Sequence, residues 1–497
     1  MKKGLFVKLK KLLAGLPVEV KGRSDIDITG ICNHSKRVSP GSLFIAKKGS
    51  DFDGTLYIGD AKKFGAVAVL TDLYNPFIKG IVQVVTSDIT YVEAIMAQRY
   101  YSHPTSKMWV AGITGTNGKT TTTHIARHLL NEDNSAALIG TIERSFLDCS
   151  ERSKLTTPDS IDVQKYLNDI FAKGAKSVVM EVTSHGLCQN RVAGIDFDVA
   201  LFTNLSPDHL DYHGSMENYF KAKKTFFCSS KASAKKQVVN IDDPWGVRLV
   251  KECALEDVLT LAIDSGAADL RAVNIEMGLD GISFEMIYRG TSVQCHLPML
   301  GKFNIYNALA ASALALIKGM ELDQIAQRLK SFGGIPGRME WIKFAAPYHI
   351  CVDFAHTEEA LKQTLAALSQ VKKKRIITLF GCGGDRDPSK RKTMAQVAEA
   401  FSDLVVITSD NARSEDPDLI LDTIAKGFST KASFVKMKQR KEAIAFAIDS
   451  AKAGDIILIA GRGHEQHLNI GGELLPFDDK QVALELLKQS KKRVRKV

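Results

Sequence analysis

The sequence predicts an α/β protein of three domains, and three observations lead there. The chain has 497 residues, too many for one ordinary core and enough for about three domains of roughly 100–200 residues. Apolar runs of strand length recur in separate blocks, each followed by a polar or Gly-containing turn and then by helical periodicity, the alternation from which parallel βα layers are built. The turn-rich segment "SHPTSK" at 102–107 divides the first block from the second.

Taken in order, the first block (1–105) opens with "MKKGLFVKLKKLLAGLPVEV", in which lysines interrupt every apolar run. No h-region of a signal peptide forms, and the segment reads as an amphipathic first helix. The runs "SLFIA", "AVAVL" and "IVQVV" then alternate with Gly-rich turns, giving a small α/β domain. In the second block (106–342), "VAGI", "SVVMEV" and "VALFTN" head successive βα units of a central, mostly parallel sheet. In the third (343–497), "RIITLF", "DLVVITS" and "DIILIA" repeat the doubly wound pattern of a Rossmann-like domain. A basic run, Lys488, Lys491, Lys492, Arg493, Arg495 and Lys496, follows the last helical pattern and reads as a solvated tail.

Composition excludes several functions. The net charge is +10, but 66 Lys and Arg stand among 56 acids along the whole chain. No basic domain for nucleic acid results, and anionic small substrates are expected. The eight cysteines are scattered without a CxxC pair or zinc-type spacing, which fits reduced thiols in a cytoplasmic protein. No stretch approaches the ~18 consecutive apolar residues of a membrane span, so no membrane insertion is expected.

The chemistry begins at "WVAGITGTNGKTTTTHIARHLL", a strand, a Gly-containing loop and a helix in the order that phosphate binding requires. Lys119 supplies a point charge for phosphates and the Thr120 hydroxyl a ligand for Mg²⁺. The generic motif G-x-x-x-x-G-K-[ST] is missed by one residue, because Ile113 stands where glycine is required and Gly112 lies one place early. Glu181 closes "SVVMEV" at a strand's carboxyl edge, where it could face a nucleotide's metal.

"GITGTNGKTTT", "EVTSHG", "TNLSPDHLDYHGSMENYFKAKK", "GKFNIYNALAA" and "VDFAHTEEAL" together resemble the Mur ligases, along the whole chain and in order. The resemblance implies an ATP- and Mg²⁺-dependent amide-bond ligase. It places ATP on Gly115, Thr116, Asn117, Gly118, Lys119, Thr120 and Thr121, with Asn307 at the adenine, Arg338 at the terminal phosphate, and Asp353 and His356 nearby. Thr120 and Glu181 would hold one Mg²⁺; Glu181, His209 and a carbamylated Lys223 would hold another. Lys119, His209, Lys223 and Arg338 are the expected catalytic set. Carbamylation makes chemical sense, since an ammonium cannot ligate a cation whereas a carbamate offers a hard anionic oxygen.

The same resemblance distributes the substrates. "HSKRVSPGSLFIAKKG" is similar to the family's uridine-nucleotide module and carries Ser35, although Lys36 replaces the usual arginine. "TTPDSIDVQ" and "SHGLCQNR" match the segments that hold the muramoyl dipeptide, implicating Thr156, Thr157, Ser184, Gln189 and Arg191. "GCGGDRDPSKR", "SDNARSEDP" and "GRGHEQ" each follow an apolar strand, so a parallel sheet would gather them at its carboxyl edge. Arg386, Asp410, Asn411, Ala412, Arg413, Gly461 and Glu465 match positions with which the diaminopimelate-adding members hold their amino acid. Ala412 stands where proline is usual. Arg413 suits the distal carboxylate of diaminopimelate and Glu465 its ammonium, whereas lysine would leave Arg413 unpaired. The expected substrates are therefore ATP, UDP-N-acetylmuramoyl-L-alanyl-D-glutamate and meso-diaminopimelate, handled by a monomer. Folylpolyglutamate synthetase, the competing amide ligase, should lack the N-terminal module and "DNAR". An ATP-gated binding protein should have lost part of the set Lys119, Glu181, His209 and Lys223, and all four are present.

Overall fold

The computed structural model describes residues 6–49, 53–228, 234–255 and 257–494, with side chains to 489. The first five residues lie outside the described ones; of the basic run expected to trail the last helix, Lys488, Lys491, Lys492 and Arg493 instead belong to helix Asp479–Val494, and Arg495 and Lys496 lie outside the described residues. The chain forms two compact units, Met1–Arg271 with Leu309–Met320, and Ala272–Ala308 with Glu321–Val497.

The first unit opens on a short helix, Leu9–Leu13, that buries Leu9, Leu12 and Leu13 while Lys10 and Lys11 face solvent. The lysine-interrupted pattern is thus amphipathic, as read. A sheet follows in the order Glu19–Lys21, Val82–Val85, Ala68–Thr71, Ser42–Ile45, Gly30–Cys32. Its first pair is antiparallel and the rest parallel. Ser42–Ile45 and Ala68–Thr71 are buried throughout, which is why they read as continuous rather than alternating apolar runs.

The same unit holds the central parallel strands, ordered Ala136–Ile139, Ser177–Glu181, Trp109–Thr114, Phe197–Phe202, Ala234–Asn240 and Val258–Ala262. An antiparallel hairpin, Glu143–Phe146 with Cys149–Arg152, extends one edge. Ile113, the residue that breaks the generic phosphate motif, is fully buried mid-sheet beside Glu181 and Leu201. At that position the sheet centre needs an apolar side chain, and the loop begins only after Thr114.

In the second unit, Gly281–Tyr288 and Thr291–Leu297 form an antiparallel hairpin. Continuous βα alternation up to 342 was the sequence expectation; the "RGT" turn at 289–291 interrupts it, with positive φ at Arg289 and Gly290. A six-stranded sheet then runs Glu340–Trp341, His349–Asp353, Ile456–Ala460, Ile376–Phe380, Leu404–Thr408, Phe434–Met437, parallel after its first pair. Strand alternation assigns its two faces. Ile376 and Phe380 pack with Leu361, Met394 and Ile420 of three helices, while Ile377 and Leu379 pack with Ile444 and Leu487 of two others. Among the described residues no helix is long and apolar enough to cross a membrane, and the cysteines are all free.

Candidate active site

The phosphate loop lies at the carboxyl end of strand Trp109–Thr114 and leads into helix Lys119–Leu130. Gly115 has φ 149°, and a Cβ there would overlap the Thr203 hydroxyl. Only glycine lets the loop lie this close to the neighbouring strand end. The loop is pinned there by Thr116 N–H to Asn204 O (2.9 Å), Asn117 N–H to Asn204 Oδ1 (2.9 Å) and Thr203 Oγ1 to Asn117 O (2.7 Å). With Gly118 as N-cap, the first turn of the helix, carrying Lys119, Thr120 and Thr121, points its amide dipoles at the loop. Lys119 Nζ bends back onto the carbonyls of Gly115 (2.9 Å) and Thr116 (2.8 Å).

Glu181 is fully buried at the end of its strand. Its carboxylate accepts from Thr120 Oγ1 (3.0 Å), Thr141 Oγ1 (2.9 Å) and Thr141 N–H (2.7 Å). Thr156 joins through Thr141, hydroxyl to hydroxyl at 3.1 Å. Thr141 escaped the sequence reading; its place just after the strand adjoining Glu181 is the signal that points to it. One carboxylate and one hydroxyl form a sparse donor set, the kind that suits Mg²⁺ shared with substrate phosphates.

Three lysines compete for one role on helix Met216–Cys228, and the structure separates them. Lys221 is exposed, Lys224 pairs with Glu252 at 2.8 Å, and Lys223 is buried. Lys223 Nζ donates to Gly115 O at 2.8 Å and sits 4.6 Å from the Tyr219 ring centroid. Burial, then the charge of Lys119, hold this amine well below the usual lysine range, so it is poised to be neutral.

His209 has positive φ (53°) and a half-exposed ring whose Nε2 lies 3.5 Å from Asp208. Its ring edge meets His185 at 4.9 Å. His185 is pushed down to about 4 by burial, then by His209 and His213. His213 stacks on Tyr219 at 4.9 Å and shares a 2.9 Å hydrogen bond with Ser184 Oγ. Sequence reading singled out neither His185 nor His213, although both stand inside quoted motifs.

The remaining first-unit residues are partly spoken for. Thr157 is buried, its hydroxyl donating to Glu181 O (2.9 Å) and accepting from Thr183 N–H (3.0 Å). Arg191 donates to Gln189 Oε1 (2.7 Å) and Thr157 O (2.8 Å). These contacts knit the two segments together. Ser35 opens a single 3₁₀ turn, which His34 caps by accepting from Lys36 N–H at 3.2 Å.

In the second unit Asn304 and Asn307 lie within helix Lys302–Ile317, Asn304 donating to Leu300 O (2.6 Å) and Asn307 to Asn304 Oδ1 (2.9 Å). Asp353 is buried and accepts from Met339 N–H (2.7 Å), Ala355 N–H (3.0 Å) and Thr364 Oγ1 (3.0 Å). Its carboxylate thus secures the segment next to Arg338, whose guanidinium lies 4.6 Å over the Phe354 ring. His356 Nδ1 sits 2.9 Å from Phe354 O.

The three C-terminal motifs do follow adjacent parallel strands, Ile376–Phe380, Leu404–Thr408 and Ile456–Ala460. Asn411 Nδ2 donates to Glu465 Oε2 (2.8 Å), and Arg413 to Gly384 O (2.5 Å). Asp410 and Ala412 are buried, Asp410 accepting from Asn411 N–H at 2.6 Å. Gly461 has φ 107°, and a Cβ on it would come within 2.8 Å of Asp410 Oδ2. Arg386 is exposed. Burial and the Asp410 charge push Glu465 upward against the opposing pull of Asn411, Arg462 and Arg413. Two elements here went unforeseen: Arg462, fully buried, and the buried Arg440–Asp479 pair, with Nε and Nη2 each 2.7 Å from a carboxylate oxygen.

Residues 27–108, 113–315 and 337–463 match, respectively, the Mur ligase family catalytic domain, the Mur ligase middle domain and the Mur ligase glutamate ligase domain. The chain is 39% identical over 488 residues to the UDP-N-acetylmuramoyl-L-alanyl-D-glutamate–2,6-diaminopimelate ligase of Caldanaerobacter subterraneus, covering 98% of this chain and 100% of that protein. Its similarity to the ligase of the same name from Chlamydia abortus is 40% over 485 residues, covering 96% of this chain and 99% of the relative. A solved structure bearing that enzyme's name superposes with a TM-score of 0.73 at 31% identity, over 98% of this chain and 99% of the other. Folylpolyglutamate synthase of Mycobacterium tuberculosis shares the fold over 73% of this chain and 91% of its own, with a TM-score of 0.59 and 16% identity.

Proposed function

The chain belongs to the Mur ligase family, and from that membership we propose an ATP-dependent, ADP-forming amide-bond ligase that joins meso-diaminopimelate to UDP-N-acetylmuramoyl-L-alanyl-D-glutamate in peptidoglycan precursor synthesis. The observation that carries the choice of amino acid is the gathering of Arg413, Asn411 and Glu465 beyond the carboxyl ends of Leu404–Thr408 and Ile456–Ala460, the two strands that flank Ile376–Phe380. A guanidinium fork and a partly buried carboxylate complement a head group that bears both a carboxylate and an ammonium.

In this reading the loop amides and Lys119 orient the phosphates of ATP. A carboxylate oxygen of the dipeptide attacks the γ-phosphorus, ADP leaves, and an acyl phosphate forms. The amine of diaminopimelate then attacks the acyl carbon, the amide bond forms and inorganic phosphate departs. No protein nucleophile is needed, so catalysis is positioning and charge stabilisation. Lys119 and Arg338 supply positive charge where the transferred group carries negative charge. Thr120, Glu181, His209 and Lys223 are the residues that would hold Mg²⁺, which supplies Lewis-acid neutralisation of the phosphate oxygens when bound. The buried Lys223, its amine held well below the usual lysine range by burial and then by Lys119, suits CO₂ addition, in which nitrogen bonds carbon and a proton leaves for solvent. Ser35 would meet the uridine nucleotide and Thr156, Thr157, Ser184, Gln189 and Arg191 the muramoyl dipeptide, in a cytoplasmic enzyme whose domains divide near residues 105 and 342.

The test is phosphate release from ATP and the UDP-muramoyl dipeptide as each candidate amino acid is added. Diaminopimelate should give the highest kcat/KM; equal or better use of lysine or glutamate would overturn the substrate assignment.

A further inference from the structure

Arg462 is fully buried and lies where three chain segments meet. Its Nη1 donates to Asn411 Oδ1 at 3.2 Å, and its Nη2 donates to the carbonyls of His467 (2.8 Å) and Phe477 (3.3 Å). Nη1 also lies 3.5 Å from Glu465 and 3.9 Å from Asp410. Asn411 Oδ1 receives a second donor, Asn469 N–H, at 2.8 Å. With two donors on its oxygen, the Asn411 amide has one orientation left, and its nitrogen must turn to Glu465, where it donates at 2.8 Å. A flipped amide would set its NH₂ group against the guanidinium and would strand a buried donor.

We propose that Arg462 is a positioning and specificity-determining residue, which fixes the Asn411 amide and keeps the Glu465 carboxylate set to receive the ammonium of the incoming amino acid. The inference rests on the proposed diaminopimelate reading of this crevice. The charges around Glu465 are Asp410, which opposes its ionisation, and Arg413, Arg440 and Arg462, which favour it. Of these, Arg462 is the cation that also holds Asn411. Its removal therefore loosens the geometry and weakens ionisation at the same carboxylate. A protonated Glu465 cannot pair with an ammonium, so the loss should deepen as pH falls.

The experiment compares wild type, Arg462→Met and Arg462→Lys in steady-state kinetics between pH 6.5 and 9. Arg462→Met should raise the KM for diaminopimelate at least tenfold at neutral pH, with the KM values for ATP and the nucleotide substrate moving less than twofold. Its diaminopimelate KM should climb further toward pH 6.5, where wild type stays flat. Arg462→Lys keeps the charge without the fork; it should recover the flat pH profile but only part of the affinity, and it provides the same readout should Arg462→Met fail to fold. An unchanged diaminopimelate KM in either folded variant, or equal rises in all three KM values, would overturn the proposal. Wild-type enzyme that does not use diaminopimelate would instead overturn the substrate reading beneath it.

Discussion

Lys223 shows what a single residue's surroundings can decide. Its amine is held well below the ordinary lysine range by burial, then by Lys119. In the unfolded chain it titrates near 10.4, so between its two pKa values the unfolded state binds the extra proton and stability rises with pH, by up to about 1.4 kcal/mol per unit. Unfolding curves in CO₂-free buffer should therefore be steeper in pH for wild type than for Lys223→Met. Parallel curves would mean that the amine stays charged. In activity, Lys223→Ala should be inactive and partly restored by short carboxylic acids that occupy the vacated ligand position; no rescue at any concentration would remove the carbamate from the mechanism. Lys119→Ala should keep its fold, because it loses no apolar contact, and lose phosphate release by about 10²–10³-fold, the range for deleting one electrostatic group. A tenth of wild-type rate would clear Lys119 of that role. The sequence offered Lys221, Lys223 and Lys224 close together, and only helix phase in three dimensions separates the buried one from the exposed Lys221 and the half-buried Lys224.

At the scale of elements, legibility followed the range of the interaction. The strand runs of the C-terminal sheet and the phosphate loop with its helix were readable because their signals are local: apolar runs, glycines and a cap. The hairpin Gly281–Tyr288 with Thr291–Leu297 was passed over because the reading followed continuous apolar runs, whereas here buried Ile282, Phe284 and Met286 alternate with Ser283 and Glu285. Least visible was the tie between helices Arg440–Ser450 and Asp479–Val494, made by Arg440 and Asp479 across 39 residues of sequence. Arg440 also donates to the carbonyls of Ser409 (3.2 Å) and Ala460 (3.0 Å), at the ends of two strands whose following loops carry Asn411, Arg413 and Glu465. Both partners are fully buried. Asp479→Ala should thus cost about 3–5 kcal/mol by stranding a buried guanidinium, whereas an apolar double replacement, Arg440→Met with Asp479→Leu, should recover most of that. Chemical denaturation of the single and double variants measures both. A loss below about 1 kcal/mol for Asp479→Ala would show that solvent reaches Arg440.

For the molecule as a whole, the proposed function assigns ATP to the phosphate loop, which lies in the first compact unit, and the amino acid to Asn411, Arg413 and Glu465, which lie in the second. A change confined to the crevice should then alter the choice of amino acid without altering the handling of ATP. Arg413 is the sharpest probe. Its backbone is held at φ 54° by Asn469 O (3.0 Å) and Gly471 N–H (2.7 Å). Its guanidinium is steadied by Gly384 O, and Gly383 leaves it room, since a Cβ there would lie 3.0 Å from Nη1. A side chain fixed this firmly can meet a carboxylate with little further ordering. Arg413→Ala should raise the KM for diaminopimelate roughly 30- to several-thousand-fold, the equivalent of about 2–5 kcal/mol for a desolvated charge-assisted pair, and leave the KM for ATP and the nucleotide nearly unchanged. The same substitution removes the penalty against lysine, which lacks the distal carboxylate, so the ratio of kcat/KM for the two amino acids should fall even if lysine remains a poor substrate. Arg413→Lys should restore little, because a point charge on a flexible stem cannot reproduce the fork. An unchanged ratio in Arg413→Ala would mean that the distal carboxylate is recognised by another cation, with the exposed Arg386 the next to be replaced.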